Sequence, residues 1–509
     1  MEKELTYSEV QLGERAHRAH LGGVPQIEVA RTLPHYINTH DVYSGLTTTD
    51  VLIAGILSGM NVWALGEKAT GKSRAMKDIS HFLFGGDIRN GGDAYTMKME
   101  GDAVIQDHLL HFDKENGVYV PSGTHNASFF GIDEINHAHA KKQSVLYGFL
   151  EGNLDFDGIQ MPCGKDNYFT VFATGNDPRK ADETAAFDSA GSFVNRFGLI
   201  LDLEDSRLAW TDDDEIAFNE FALPNSKYSY TKDSARNLLP KIRRAHNEIL
   251  TNAQDLGTEA EAAFNYLGLS LSRCPGQILG GHLGETLRKS GIKMWAHPNG
   301  DCFDCERKSP HSESPLCRLI NTSNMRVLQN SKLLASGLDY VARLKGIRTI
   351  DPTNLAFLSY ELACAYQNGV LNSEILEEDF SNKNHQMAHE VLSRAREDFR
   401  ELGDKYVTQL ELARQGKDTP RFYSINGEDN YVFESPLTPD EKRAIQIQTH
   451  FGQEEIPSEL SLQDRTAIKQ VSVKDTTPVY EDNRETPLGI LEKGLNKIRE
   501  GSRRRLGGN

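Results

Sequence analysis

Asn61-Val62-Trp63-Ala64-Leu65-Gly66-Glu67-Lys68-Ala69-Thr70-Gly71-Lys72-Ser73 decides the fold. Its first five residues are mainly apolar and read as a buried strand. The rest fits G-x-x-x-x-G-K-[ST] in full and opens a helical stretch through Ile79. Glycines in such a loop let backbone N–H groups turn inward around phosphate oxygens, and the N-terminus of the new helix adds a favourable dipole. Lys72 is placed to reach the β- and γ-phosphates, and the Ser73 hydroxyl to ligate magnesium. Gly66, Glu67, Lys68, Ala69, Thr70, Gly71, Lys72 and Ser73 are therefore the candidate ATP-binding residues.

Outward from this loop, short apolar runs alternate with helical stretches from 41 to about 205, as in a parallel α/β sheet. The expected strands are 61–65, 94–99, 128–132, 169–174 and 198–203, and the expected fold is an α/β P-loop NTPase core with flanking helices. The third strand runs into Asp133-Glu134. Asp133 is placed to hold the magnesium, directly or through water, and Glu134 to act as general base toward an attacking water. The fourth ends at Gly175-Asn176-Asp177-Pro178, where Asn176 can hydrogen-bond both a γ-phosphate and the lytic water. Arg196, at the start of the last strand, can reach a neighbouring protomer's γ-phosphate as an arginine finger.

The 509 residues suggest about three modules. With 73 Asp+Glu against 56 Lys+Arg the net charge is −17, which argues against DNA coating through a general basic field. No apolar run is long enough to span a membrane. MEKELTYSEV carries no apolar h-region, so the expected location is cytoplasmic. Residues 1–40 read as a lead-in, 41–235 as the ATPase core and 236–372 as helical, with expected helices 235–250, 259–271, 325–344 and 352–366. Leu392, Ala395, Phe399, Leu402, Tyr406, Leu410 and Ala413 mark one long amphipathic helix within 373–415. Residues 416–509 read as a linker or tail, ending in a helix with Leu488, Leu491, Leu495 and Ile498.

Cys274, Cys302, Cys305 and Cys317 fall in an insert, 273–320, with spacing C-x27-C-x2-C-x11-C. Four thiolates in a segment of low apolar content suggest a structural zinc, whose binding contributes on the order of 10 kcal/mol of folding free energy in small zinc modules. An iron–sulfur cluster suits the same ligands, and free thiols are the remaining alternative.

The stretch from Phe129 through Asp133-Glu134-Ile135-Asn136-His137-Ala138 to Leu150-Glu151 resembles the AAA+ ATPases, specifically the MoxR branch. So do Asn153-Leu154-Asp155-Phe156-Asp157-Gly158, Phe172 to Pro178, Asn195-Arg196-Phe197, and Ser323-Asn324-Met325-Arg326 with the following helices. The resemblance spans about 41–372, with 273–320 unmatched. It implies an α/β core with a helical lid, assembled into a ring that is usually hexameric, in which ATP hydrolysis remodels a client. It also implies a partner bearing a von Willebrand factor A domain, and an Arg326 that contacts the γ-phosphate in cis. The run before Arg196 departs from the branch's pattern, so Arg179 is a second candidate finger. Two alternatives remain beside the remodelling chaperone: a ring motor on nucleic acid, and a slow nucleotide-gated scaffold.

Overall fold

The computed structural model describes residues 4–10, 41–67, 70–99, 108–137, 143–156, 159–176, 191–205, 208, 235, 237–270, 292–293, 318–319, 324–347, 350–367, 369–414, 420–425 and 428–433. The chain divides into two compact units, Met1–Ala260 with Ser323–Ser393, and Glu261–Thr322 with Arg394–Asn509.

In the first unit, β1 (Asp41–Tyr43) and β2 (Leu46–Thr47) lead into helix α1 (Thr48–Leu57). Thr47 starts that helix with a capping box: its side chain accepts from the Asp50 N–H, and the Asp50 carboxylate accepts from the Thr47 N–H. β3 (Val62–Leu65) is buried throughout, and α2 (Lys72–Phe84) follows the glycine-rich loop. Next come β4 (Ala94–Lys98), the hairpin β5 (Leu110–Asp113) and β6 (Val118–Pro121), and β7 (Phe129–Asp133). Helix α3 (Gln143–Leu150), the hairpin β8 (Asn153–Phe156) and β9 (Ile159–Pro162), β10 (Thr170–Gly175) and β11 (Leu199–Asp202) complete the α/β part. The central sheet has the order β11-β3-β10-β7-β4 and is parallel throughout. All five expected strands are in it, each displaced by no more than one residue at either end.

Parallel strands covered on both faces must be apolar on both. On one face Trp63, Leu65, Phe130, Ile132, Val171 and Ala173 join Phe149, Phe193 and Phe197 in a single core. Phe130 meets Phe149 edge-on at 4.8 Å between centroids, and Trp63 lies 5.2 Å from Phe197. On the other face α2 packs on β4, β7 and β10. Gly131 makes this approach possible, because a Cβ there would lie 2.6 Å from Met76 Cγ.

Helices α4 (Leu239–Asn252), α5 (Met325–Lys345) and α6 (Pro352–Cys364) cover the first unit, with α5 against α1, α4 and α6. Asn324 caps α5 by accepting from the N–H groups of Arg326 and Val327. The α5–α1 contact is close: a Cβ on Gly337 would lie 2.4 Å from Ser58 Oγ. The outer edge of β11 is covered, as exposed sheet edges usually are. Gln367 Nε2 donates to Phe197 O at 2.8 Å, His385 Nε2 lies 2.9 Å from Ile200 O, and the Tyr366 hydroxyl donates to Asp202 Oδ2 at 2.6 Å.

Helix α7 (Asn384–Arg414) continues unbroken through Gly403. In the second unit β12 (Ile292–Lys293), β13 (Pro420–Ile425) and β14 (Glu428–Phe433) form an antiparallel sheet. The expectation of a linker from 416 onward is thus corrected for 420–433. That stretch places the β-forming residues Phe422, Tyr423 and Ile425 before Asn426-Gly427 and Tyr431, Val432 and Phe433 after it, and it pairs with a strand of the cysteine-bearing insert. Cys274, Cys302, Cys305 and Cys317, and the expected terminal helix, lie outside the described residues. Among the described residues no helix is long and apolar enough to cross a membrane.

Candidate nucleotide site

Ligands of open parallel sheets bind beyond the carboxyl ends of the strands, and here those ends carry the chemistry. Across the sheet they present Asp202 on β11, the loop after β3, Asn176 after β10, Asp133-Glu134 at β7, and Lys98 on β4. Gly66 and Gly71 have φ of 146° and 82°, which side-chain-bearing residues rarely adopt, and Gly71 caps α2. Lys72 is buried. Its ammonium donates to Gly66 O at 2.6 Å, Glu67 O at 2.5 Å and Thr70 Oγ1 at 2.9 Å. Burial pulls its pKa down from the usual lysine range, opposed by the charges of Glu204, Asp133, Asp202 and Glu134. A buried cation ringed by loop carbonyls, at a helix N-terminus, suits a polyphosphate.

Ser73 Oγ donates to Asp133 Oδ1 at 2.6 Å, and Thr174 Oγ1 donates to the same oxygen at 2.5 Å. A serine hydroxyl and a carboxylate in contact at the first turn of this helix fit Mg²⁺, which takes few protein ligands and keeps waters and phosphate oxygens for the rest. Glu134 has φ +55°, unusual for a residue with a Cβ, and its N–H donates to Thr174 Oγ1 at 3.1 Å. Its carboxylate pairs with Lys98 Nζ at 3.3 Å. Gly175 leaves room beside Asn136, whose Oδ1 would be 2.7 Å from a Cβ at that position, and so lets Asn176 follow β10 directly. Of the expected residues, Lys68, Ala69, Asp177 and Arg179 lie outside the described set.

Arg196 and Arg326 come together, but at the other end of the sheet. The Arg326 guanidinium donates to Asn195 O at 2.9 Å and to Glu151 Oε1 at 3.3 Å, and Arg196 Nη2 lies 3.4 Å from the same Oε1. Arg196 also stacks over the Tyr147 ring at 4.7 Å. Asn61, at the start of β3, donates to Leu150 O and Arg196 O and accepts from the Val171 N–H. The glycine-rich loop begins at the far end of that four-residue strand, about 13 Å away. Arg326 therefore stands at the end of the sheet away from its own phosphate loop, whereas the sequence implied a cis contact with the γ-phosphate. Docking of α5 on α1 carries its N-terminus to the end where the strands begin.

Reading the sequence missed Lys98, Thr174 and Glu151. Lys98 and Asp133 are register partners across β4 and β7, a relation visible only once the strand order is known. The β5–β6 hairpin was also missed, although Asn116-Gly117 between β-forming residues signals such a turn.

The sheet order, the loop–helix junction and the shared Ser73–Asp133 contact define an α/β P-loop NTPase fold. No family profile and no curated protein matches the chain. Among solved structures, it is similar to a "putative ATPase" of Cytophaga hutchinsonii, at 17% identity over 68% of this chain and 87% of that one, with a TM-score of 0.44. It is also similar to a full-length MCM homolog of Methanopyrus kandleri, at 12% identity over 64% of this chain and 56% of that one, with a TM-score of 0.36. The fold assignment rests on the sheet and the loop themselves.

Proposed function

We propose that this chain is an AAA+ ATPase of the MoxR type, which binds and hydrolyses ATP in a ring, usually hexameric, to remodel a protein client. The observation that carries this reading is the Ser73–Asp133 contact at 2.6 Å beside the buried ammonium of Lys72. Lys72 would hold the β- and γ-phosphate oxygens, and Ser73 and Asp133 would hold Mg²⁺. The metal ion, when bound, neutralises charge on the phosphates. Glu134 would accept the proton of the attacking water, and Asn176 would orient that water. Arg196 and Arg326, at the opposite end of the sheet, would face the nucleotide of a neighbouring protomer and stabilise the negative charge that develops there.

The protein-client reading is supported by charge. The chain carries −17 overall, and the tip of the β5–β6 hairpin joins Asp113 and Glu115 to Lys114, between the exposed rings of Phe112 and Tyr119. The segments that resemble the MoxR branch support a partner with a von Willebrand factor A domain. The cysteine spacing supports a zinc in the insert, testable by the metal content of the purified chain before and after Cys302→Ser. Glu134→Gln, purified from native lysate in ATP, tests the whole reading. It should hold nucleotide without turnover and retain one defined protein complex. Recovery of nuclease-sensitive nucleic acid would favour the nucleic-acid motor, and wild-type turnover near background would favour the gated scaffold.

A further inference from the structure

Glu151 Oε1 is a single acceptor oxygen shared by two guanidinium groups, Arg196 at 3.4 Å and Arg326 at 3.3 Å. Its position is well determined by the chain. The Glu151 N–H donates to Tyr147 O at 3.2 Å, so the residue continues the last turn of α3, and Tyr147 and Glu151 stand on one face of it. Tyr147 supports the flat face of Arg196 from below, while Glu151 takes its edge. Arg326 is fixed from the other side by Asn195 O at 2.9 Å. Two cations from distant parts of the sequence thus converge on one oxygen, and all three side chains keep partial exposure: 22% for Arg196, 46% for Glu151 and 43% for Arg326. Planar guanidinium groups bind carboxylate and phosphate oxygens with the same geometry.

We infer that Glu151 is an internal stand-in for the neighbour's γ-phosphate: it occupies the two arginines in a lone protomer and must be displaced when an ATP-bearing neighbour docks. The inference rests on the trans-arginine reading above. One carboxylate carries less charge than a terminal phosphate with its three oxygens, so ATP wins the exchange. A neighbour that holds ADP offers no γ-oxygen and leaves Glu151 in place. The carboxylate thereby sets how much ATP is needed to close the interface. It also keeps two like charges from repelling each other while they wait.

Glu151→Gln tests this. The amide keeps the shape and one acceptor oxygen but removes the charge. ATP titrations followed by mass photometry for assembly and by steady-state phosphate release for turnover should both shift to lower ATP by roughly two- to thirtyfold, the range for two exposed ion pairs. Maximal turnover should be unchanged or higher, and ADP should support some assembly. Because Arg326→Ala removes one of the two pairs, the shift in assembly caused by Glu151→Gln should shrink in that background. A higher ATP requirement, a lower maximal rate, or an unshifted curve in the folded variant overturns the inference. The underlying reading fails separately: if Arg196→Ala and Arg326→Ala each turn over like wild type, the arginines are not trans groups and the stand-in falls with them. A strong arginine phenotype with an unshifted Glu151→Gln curve overturns the stand-in alone.

Discussion

If Arg196 and Arg326 serve a neighbour's nucleotide, two dead variants should revive each other. The first is Lys72→Ala, which loses its own phosphate grip but keeps both arginines. The second is the double variant Arg196→Ala, Arg326→Ala, which keeps an intact loop and carboxylates but offers nothing to a neighbour. Each alone should be inactive. Loss of an arginine finger costs about 10³- to 10⁵-fold in turnover, and loss of the loop lysine removes nucleotide contact. The structure states why rescue is expected. Arg326 is anchored to Asn195 O, and Arg196 O is anchored to Asn61 at the start of β3, whereas the phosphate loop leaves the far end of that strand, about 13 Å along. No protomer's arginines then serve its own site. In an equal random mixture half of the sites belong to the double variant, and half of those face a Lys72→Ala neighbour with arginines intact. Turnover per protomer should return to about a quarter of wild type in a ring with head-to-tail interfaces. The assay is steady-state phosphate release on mixtures whose co-assembly is verified by two affinity tags. Co-assembled mixtures that stay at background would refute the geometry, because cis-acting arginines leave every protomer lacking one essential part.

Four further outcomes follow from the site and the core. Lys98→Ala releases Glu134 from a half-exposed ion pair of 3.3 Å, so turnover should rise by no more than about fivefold; a tenfold loss would show instead that Lys98 positions the base. Glu134→Gly should abolish turnover yet stabilise the chain by about 1 kcal/mol in urea melts, because it relieves the positive φ of 55°; Glu134→Gln should lose activity with no such gain. Asn61→Ala removes two donated bonds and one accepted bond, and should cost about 2–3 kcal/mol by chemical denaturation. Burial holds the pKa of His246 below the usual histidine range. Its neutral form is therefore favoured in the folded chain, so its contribution is complete above about pH 6.5 and is lost as pH falls toward the folded value. Stability should drop on acidification through that window, and His246→Gln should flatten the profile.

What could be read in advance follows from which constraints are local. The five sheet strands were legible because a parallel strand covered on both faces must be a continuous apolar run, as in Val62-Trp63-Ala64-Leu65 and Phe129-Phe130-Gly131-Ile132. The phosphate loop was legible because its backbone needs glycine at two fixed positions. The β13–β14 hairpin was obscured by its polar surroundings, although Asn426-Gly427 lay between runs of β-forming residues. The Glu151–Arg196–Arg326 cluster joins residues 45 and 130 positions apart in the sequence, so no periodicity reports it. The placement of Arg326 is the most instructive. Its neighbours Asn324 and Met325 declare a helix start, and the helix is there. Which end of the sheet that start faces depends on how α5 docks, and that is set by contacts remote from Arg326: Gly337 brought against Ser58 and Ala54 of α1, and Asn330 beside Gly198. Small residues at those points allow the helices to approach closely, and the approach aims the arginine away from its own phosphate loop. A Gly337→Ala change would disturb that aim without touching any residue of the site. The end of the sheet that this arginine faces is thus decided by close packing rather than by the motif that contains it.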